Sequence, residues 1–304
     1  MRFAHLTDLH LPIPIRPRLT ELMSKRLFGY LSWRQNRCFR HTRGALDAIL
    51  DDLRAQAPDF TAISGDIANI SLGPEFSAAA QWLDANLDAA RTVLAPGNHD
   101  AYVAYPWHEG LGKLGAYMTA DSGGMPTGPG DFPFTRTIGD VGFVVANSSP
   151  PTAPFLATGR LGTSQIERIG KALADLGASG KCRVLVLHHP ITDNATPRRK
   201  ALADRALLRQ TIGESGFELA VHGHTHKSLW FSVVTKDGPR PVVCGGSASH
   251  PRAKGAYRPA RYNLFSIDGS AFKGWRIAVD VRELDPQNGR VKTVEQRTLL
   301  ANAR

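Results

Sequence analysis

Seven side chains with nitrogen or oxygen donor atoms stand where apolar stretches of this sequence end. Asp8 and His10 are two positions apart, so both point the same way where a strand ends. Asp66 follows Gly65, whose missing side chain lets the backbone approach closely. The other four donors are the amide of Asn98 and the imidazoles of His188, His224 and His226.

Such a set has the composition of a site for two metal ions. A dinuclear centre needs several nitrogen and oxygen ligands, one carboxylate able to bridge cations about 3.5 to 4 Å apart, and open positions for water and substrate. The set contains no cysteine. This disfavours a structural zinc site and favours a hydrolytic centre with Mn, Fe, Zn or a similar ion.

The donors follow five apolar stretches that predict buried strands, at residues 2–7, 60–64, 92–95, 183–187 and 217–221. Helical periodicity marks residues 45–56, 74–87, 165–176 and 201–212. This alternation predicts a mostly parallel sheet with helices on its faces. In such sheets ligands gather at the carboxyl ends of the strands.

A second group of strands is predicted with little helix between its members, at residues 134–138, 141–147, 229–234, 242–245, 262–267 and 275–281. We expect these strands to form an antiparallel sheet packed on the first. The chain should be one domain over residues 1–304, with a strand-rich extension at about 270–304.

A basic amphipathic insertion is predicted at about residues 13–43. Residues 16–43 carry eight lysines and arginines and one acid, Glu21, interleaved with apolar and aromatic residues such as Phe28 and Trp33. Two interpretations remain open. The segment either packs its apolar residues on the core and leaves its charges in solvent, or it contacts an anionic membrane or an amphiphilic substrate.

The overall charge favours an anionic partner. Lys and Arg number 37 against 27 Asp and Glu, a formal net charge of +10. Such a field attracts phosphorylated small molecules, nucleic acid or acidic membranes. No recognised nucleic-acid module occurs, so we expect no nucleic-acid partner. The three widely spaced cysteines and the lack of a long apolar stretch predict a cytoplasmic protein, with peripheral contact at the inner membrane face as an alternative.

Five motifs, in chain order, resemble the signature of the calcineurin-like metallophosphoesterases. They are Asp8-x-His10, Gly65-Asp66, Gly97-Asn98-His99-Asp100, His188 and Gly223-His224-x-His226. The forms Gly-Asn-His-Asp and Gly-His-Thr-His are similar to the class III cyclic-nucleotide phosphodiesterase branch. The resemblance covers about residues 1–267. It implies an α/β fold, a four-layer α-β-β-α sandwich of two mixed sheets with outer helices.

The resemblance also implies roles for the donors around two divalent or trivalent ions. The ligands of the first ion would be Asp8, His10 and His226. Those of the second would be Asn98, His188 and His224. Asp66 would bridge the two ions, and metal-activated water would attack a phosphoester.

Three further residues are candidates for the reaction. His99, next to a ligand but not one itself, is the expected general acid for the leaving group, and Asp100 is expected to orient its ring. Asn69 would contact phosphate or cap a turn. Other histidines are expected to have no direct role: His189 and His222 beside or behind the ligands, His5 and His41 as bystanders, and His250 in a loop that could border the pocket.

Several functions are compatible with these residues. The first hypothesis is hydrolysis of a phosphodiester, with a cyclic nucleotide as the family-level substrate. The alternative is hydrolysis of the pyrophosphate in a lipid-linked sugar nucleotide of the UDP-diacylglucosamine type, which the basic insertion favours. A phosphomonoesterase is also open. A non-catalytic scaffold is disfavoured because no ligand position is missing.

Overall fold

The computed structural model describes residues 1–303, and twelve strands occur in this range. Six strands form the first sheet: β1 (Arg2–Leu6), β2 (Phe60–Ile63), β3 (Thr92–Leu94), β10 (Arg261–Ser270), β11 (Gly274–Leu284) and β12 (Val291–Ala303). Their order is β12-β11-β10-β1-β2-β3. β1, β2 and β3 are parallel, whereas β10 pairs with β1 in antiparallel register.

The second sheet has four parallel strands at its centre. Its members are β4 (Phe134–Ile138), β5 (Val141–Val145), β6 (Cys182–Val186), β7 (Leu219–His222), β8 (Leu229–Thr235) and β9 (Gly238–Cys244). Their order is β4-β5-β6-β7-β9-β8, with antiparallel strands only at the two edges. Both sheets are therefore mixed.

Helices cover the outer faces of the two sheets. They are α3 (Arg43–Gln56), α4 (Gly73–Asn86), α5 (Thr163–Ala178) and α6 (Arg205–Ser215), while the short helices α1 (Arg26–Ser32) and α2 (Cys38–Arg40) belong to the insertion. In α3 the buried residues Leu46, Ile49, Leu50 and Leu53 follow the i, i+3, i+4, i+7 spacing of one helix face. The predicted α/β sandwich of two mixed sheets with outer helices is confirmed.

The predicted pairing of the later strands is wrong. They do not form a separate antiparallel sheet, because β10 and β11 extend the first sheet beyond β1, and β4, β5, β8 and β9 flank β6 and β7. Periodicity in the sequence reveals which stretches are strands but not which strands become neighbours. The late segment thus completes the sheet that begins with β1.

A cluster of aromatic side chains joins the two sheets. The Phe3 ring on β1 stacks on Phe265 of the same sheet, with centroids 4.7 Å apart. It also meets Phe143 of the second sheet edge-on at 5.2 Å, and Phe143 lies 4.6 Å from Phe60. All four side chains are fully buried. The inner faces of both sheets therefore share one hydrophobic core.

The insertion lies between β1 and α3 and consists of short helical turns. A 3-10 turn covers Thr20–Leu22, and a π-helical turn, Trp33–Arg37, follows α1 directly. Among residues 1–303 there is no helix with the length and apolarity to cross a bilayer.

Shortening Phe3 should destabilise the whole fold. Phe3→Ala leaves a cavity between the sheets, and we expect the free energy of unfolding to fall by about 3 to 5 kcal/mol. Denaturant titration followed by circular dichroism measures this loss. Phe272→Ala, at a phenylalanine that is 92% exposed, is the control and should change stability by less than about 0.5 kcal/mol. Equal losses in both variants would show that the sheets do not depend on this contact.

Candidate metal centre

The seven predicted ligands come from five strand ends and meet at one edge of the sandwich. Loops after β1, β2 and β3 of the first sheet carry Asp8, His10, Asp66 and Asn98. Loops after β6 and β7 of the second sheet carry His188, His224 and His226. The carboxyl ends of parallel strands in both sheets thus supply the site, as is usual in open α/β sheets.

The loops hold most of these residues in an unfavourable backbone conformation. Five of the seven have φ in the left-handed region: Asp8 (53°), His10 (45°), Asp66 (59°), His224 (70°) and His226 (57°). Residues other than glycine adopt this backbone conformation at a cost of about 1 to 2 kcal/mol each. Such strain persists only where the surrounding structure enforces it, and it concentrates at functional sites.

One group of donors surrounds the position expected for the first ion. Asp8, His10, Asp66 and His226 each place a donor atom within 4.8 Å of the others. His226 Nε2 lies 3.1 Å from Asp8 Oδ1, and His10 Nε2 lies 3.7 Å from Asp66 Oδ2. Four nitrogen and oxygen donors therefore converge on one point.

A second group of donors lies next to the first. Asn98 Oδ1 is 3.1 Å from His188 Nε2 and 2.7 Å from His224 Nδ1, and the two ring nitrogens are 3.3 Å apart. The same Asp66 Oδ2 that faces His10 is 3.4 Å from His188 Nε2. One carboxylate oxygen therefore faces both groups, as a bridging ligand must.

The ring orientations fit metal ligation. His10 Nδ1 lies 3.3 Å from the carbonyl oxygen of Ala68, and His188 Nδ1 lies 2.7 Å from that of Ser64. In both rings Nε2 is left pointing at the donor group. Metal-binding histidines are oriented in this way, with the second nitrogen bonded to a carbonyl. His10 Nε2 is buried and has no hydrogen-bond partner among residues 1–303. The cost of removing this nitrogen from water is therefore uncompensated, and a bound cation would compensate it. The donor set therefore fits two ions.

Without an ion, the buried charges stabilise one another. Burial acts to raise the pKa of Asp66, but the imidazole of His188 and its neighbours hold that pKa well below its usual value. Burial likewise acts to lower the pKa of His188, and the Asp66 carboxylate raises it to about 9. Since imidazole binds metal only in its neutral form, protons and cations compete for this site.

Asp100 is placed differently from the prediction. It was expected to orient His99, but its carboxylate accepts backbone N–H bonds of 2.8 to 2.9 Å from Asp66, Ile67, Ala68 and Gly97. Burial and the Asp66 carboxylate act to raise the pKa of Asp100, while these N–H donors stabilise its ionised form. Asp100 therefore holds the loop that carries Asp66.

His99 is oriented by the main chain. Its Nδ1 lies 2.7 Å from the carbonyl oxygen of Asn69, and its backbone N–H donates to Asp66 Oδ1 at 2.7 Å. Burial and the Arg37 guanidinium lower the pKa of His99 well below its usual value. The ring is half-buried and lines the cavity beside Asn98.

The Asn69 side chain does not reach the cavity, contrary to the prediction of phosphate contact. It is fully buried, and its Nδ2 donates to the carbonyl oxygen of Leu11 at 2.6 Å. Its backbone N–H donates to Glu75 Oε1 at 2.7 Å. Asn69 contributes to the site through the carbonyl group that binds His99.

Two other histidines lie closer to the site than predicted. The His41 ring centroid is 4.3 Å from that of His10, and the donor atoms of His41, His10 and His226 lie within 4.8 Å of one another. His250 Nε2 is 3.4 Å from His226 Nδ1, so this loop does border the pocket. His41 lies in the insertion rather than after a strand, so no feature of the sequence indicated its place.

His5, His189 and His222 are packed behind the ligands, as predicted. His189 Nδ1 is 2.9 Å from Ser148 Oγ, and His5 Nε2 is 2.8 Å from Ser64 Oγ. Burial lowers the pKa of His5 and of His189 to about 3 and that of His222 to about 4. These rings are neutral and serve packing.

The donors open into a cavity of about 800 Å³. Six cationic residues line it: Lys25, Arg37, Arg40, Arg199, Lys200 and Lys227. Among the described residues that line it, Asp66 is the only carboxylate. The cavity therefore attracts anions.

Adding a methyl group at Gly97 should remove the bridging ligand. A Cβ there would clash with both the backbone nitrogen and Oδ1 of Asp66. We expect Gly97→Ala to bind fewer than two manganese ions per chain, measured by elemental analysis after loading and desalting. The rise in melting temperature that metal loading gives the unmodified protein should shrink accordingly.

Gly44→Ala is the matched control, because a Cβ at Gly44 in α3 meets no atom within 4 Å. Its metal content should equal that of the unmodified protein. Full metal content in Gly97→Ala would contradict the assigned role of Asp66.

Comparisons with known proteins identify the family and support the fold. The family model of the calcineurin-like phosphoesterases matches residues 1–228. A dimetal phosphatase from Danio rerio has a similar fold, with a TM-score of 0.63, 13% identity and 98% of each chain covered. Purple acid phosphatase PPD1 from yellow lupin has a TM-score of 0.60 and 14% identity, and the match covers 98% of this chain but 53% of the lupin chain. A search of curated proteins gave no significant match. With the family model matching three quarters of its length, this chain belongs to the calcineurin-like phosphoesterase family.

Proposed function

We propose that this protein hydrolyses a phosphodiester at a dinuclear metal centre, with a cyclic nucleotide or a similar diester as substrate. Membership of the family supports metal-dependent phosphoester hydrolysis. The observation that carries the dinuclear assignment is the position of Asp66 Oδ2, 3.7 Å from His10 Nε2 and 3.4 Å from His188 Nε2. A single metal would not require one oxygen to face two donor groups.

The chain's own residues would divide the work as follows. When bound there, two metal ions would supply an activated water and would neutralise charge that develops on the phosphoryl oxygens. The imidazoles and carboxylates hold the ions, and the Asp100 carboxylate fixes the Asp66 loop through its four N–H bonds. With Nδ1–H donating to the Asn69 carbonyl, His99 would face the leaving oxygen with Nε2; this nitrogen would first take up a proton from water and then give it to the leaving oxygen.

The cavity supports an anionic substrate with an extended group. Its lysines and arginines face one carboxylate only, and Phe28, Tyr102, Phe155 and Tyr257 supply aromatic surface on the same walls. A phosphodiester with a nucleoside or another flat group would use both features.

The deciding experiment measures metal-dependent turnover. Protein loaded with Mn²⁺ should hydrolyse bis(p-nitrophenyl) phosphate faster than p-nitrophenyl phosphate, and prior removal of metal with EDTA should abolish both activities. A panel of cyclic nucleotides and glycerophosphodiesters then ranks natural diesters. A faster rate on the monoester would show that the protein is a phosphomonoesterase rather than a phosphodiesterase. No turnover of any phosphoester would support a scaffold.

The proposed role of His99 is tested by leaving-group dependence in the same assay. His99→Ala should slow hydrolysis of diesters with poor leaving groups by about 10² to 10⁴, and that of activated p-nitrophenyl esters much less. An equal loss on both substrate types would exclude proton donation by His99.

A second candidate is a pyrophosphate hydrolase that acts on a lipid-linked sugar nucleotide while touching an anionic membrane. Exposed apolar side chains on and beside the insertion favour it: Leu19, Met23, Phe39 and Phe155 are each more than 70% exposed. Exposed apolar groups among cationic ones suit an amphiphilic ligand or a lipid surface.

Vesicle binding tests this second candidate. Vesicles rich in phosphatidylglycerol should sediment the protein at low ionic strength, with release as salt is added. The double variant Leu19→Ser/Met23→Ser should bind less, whereas Phe272→Ser, at an exposed phenylalanine outside the insertion, should bind as the unmodified protein does. If neutral and anionic vesicles sediment equal amounts of the protein, it does not bind anionic membranes through this surface.

A further inference from the structure

The insertion delivers one arginine directly to the candidate active site. Arg37 ends the π-helical turn that follows α1, and its side chain lines the cavity. Its Nη1 lies 2.7 Å from Nδ1 and 3.0 Å from Nε2 of His99. Because His99 Nδ1 already donates to the Asn69 carbonyl, Nε2 is the nitrogen that can accept from Arg37. Of the six cations lining the cavity, Arg37 alone has a hydrogen bond to His99 within the described chain.

The guanidinium of Arg37 lacks the carboxylate partner that three other shielded arginines have. Arg183, Arg261 and Arg282 are largely shielded from solvent, and each forms an ion pair with a carboxylate, of Glu218, Glu283 and Asp52 respectively. Between residues 1 and 303, Arg37 has no carboxylate within ion-pair distance.

One nitrogen of this guanidinium is wholly unsatisfied. Arg37 Nε is buried and has no hydrogen-bond partner in the described chain. Nη2 donates to the carbonyl oxygen of Gly29 at 2.9 Å. A partly buried cation with no anion beside it favours an anion that enters the cavity.

The insertion holds Arg37 in a fixed position. A Cβ at Gly29 would lie 2.7 Å from Ile70 Cγ2 and from Tyr102 Cε1, so α1 packs with its backbone against the loop that follows Asp66. Arg26 Nε and Nη2 donate to the carbonyl oxygens of Ile70 and Ser71 on the same loop, at 3.1 and 2.5 Å. The Gly29 carbonyl that orients Arg37 is therefore tied to the loop that carries a metal ligand.

We propose that Arg37 binds the phosphoryl group of the substrate, which makes the insertion part of the active site; this inference rests on the proposed hydrolysis of a phosphoester. Nε and Nη1 are the two guanidinium nitrogens that do not bond to the main chain, so these would donate to a phosphoryl oxygen. When a phosphoryl oxygen replaces His99 as the acceptor of the Nη1 hydrogen bond, the lone pair of His99 Nε2 becomes free. A guanidinium suits this role because its N–H groups match phosphate geometry and it stays charged.

Another cationic residue of the insertion that lines the cavity is engaged elsewhere. Lys25 Nζ donates to Thr152 Oγ1 and to the carbonyl oxygen of Leu156, at 2.7 and 3.0 Å, and lies 4.4 Å from the centroid of the Tyr102 ring. Lys25 therefore joins the insertion to the opposite wall.

The test compares phosphate binding and turnover in the full chain loaded with Mn²⁺. Arg37→Gln should raise the dissociation constant of inorganic phosphate, measured by calorimetry, about tenfold or more. It should lower kcat/KM for bis(p-nitrophenyl) phosphate about 10²-fold. Arg37→Lys should recover part of each loss, and added guanidinium chloride should restore turnover to Arg37→Gln.

Arg34→Gln is the matched control, since Arg34 is exposed on the same turn and lies outside the cavity. It should leave both quantities within about twofold of the unmodified values. Melting temperatures of all variants show whether the fold is kept.

Two outcomes would overturn the inference. In the first, Arg37→Gln binds phosphate as tightly as the unmodified protein. In the second, turnover is lost with unchanged phosphate affinity and no rescue by guanidinium, which assigns Arg37 a structural role. If the unmodified protein binds phosphate through Arg37 but cleaves no phosphoester, the proposed function fails while the anion site stands.

Discussion

The buried carboxylate of Asp66 is the constraint on which the site depends. It lies between imidazoles supplied by both sheets, so it keeps its charge only if the sheets meet at one relative position. The aromatic contact between Phe3 and Phe143 fixes that position from within the core. The N–H bonds to Asp100 fix it from the loop side. Packing, backbone strain and charge are thus three aspects of one arrangement.

Much of the site follows from sequence because its ligands stand directly after strands. A strand end is visible as an apolar run that stops, and parallel strands direct their ends to the same edge, so the convergence of residues such as Asp8 and His188 was foreseeable. Asp100 was misassigned because its partners are backbone N–H groups of a loop whose path the sequence does not reveal. His41 was missed for a related reason: it approaches His10 from an irregular segment. Strand pairing failed at β10 because its partner, β1, is over 200 residues away.

The insertion connects the two interpretations that the sequence left open. Its inner side is anchored by Arg26 and by the close approach of Gly29, so part of the segment packs on the core. Its outer side leaves Leu19 and Met23 in solvent, which packing alone does not explain. One short segment therefore has both a cationic side anchored beside the cavity and an apolar side exposed to solvent.

The pairing of β1 with β10 has a consequence for the nascent chain. The ribosome releases β1, β2 and β3 early, whereas β10 is made some two hundred residues later. Until then β1 has a partner on one side only, and an unpaired strand edge is a template for wrong association with other chains. The hydrogen bond from the His224 N–H to Asp8 Oδ2 likewise cannot form until 216 further residues have been made. Translation thus passes through a long stage in which half of the first sheet is open and vulnerable to aggregation.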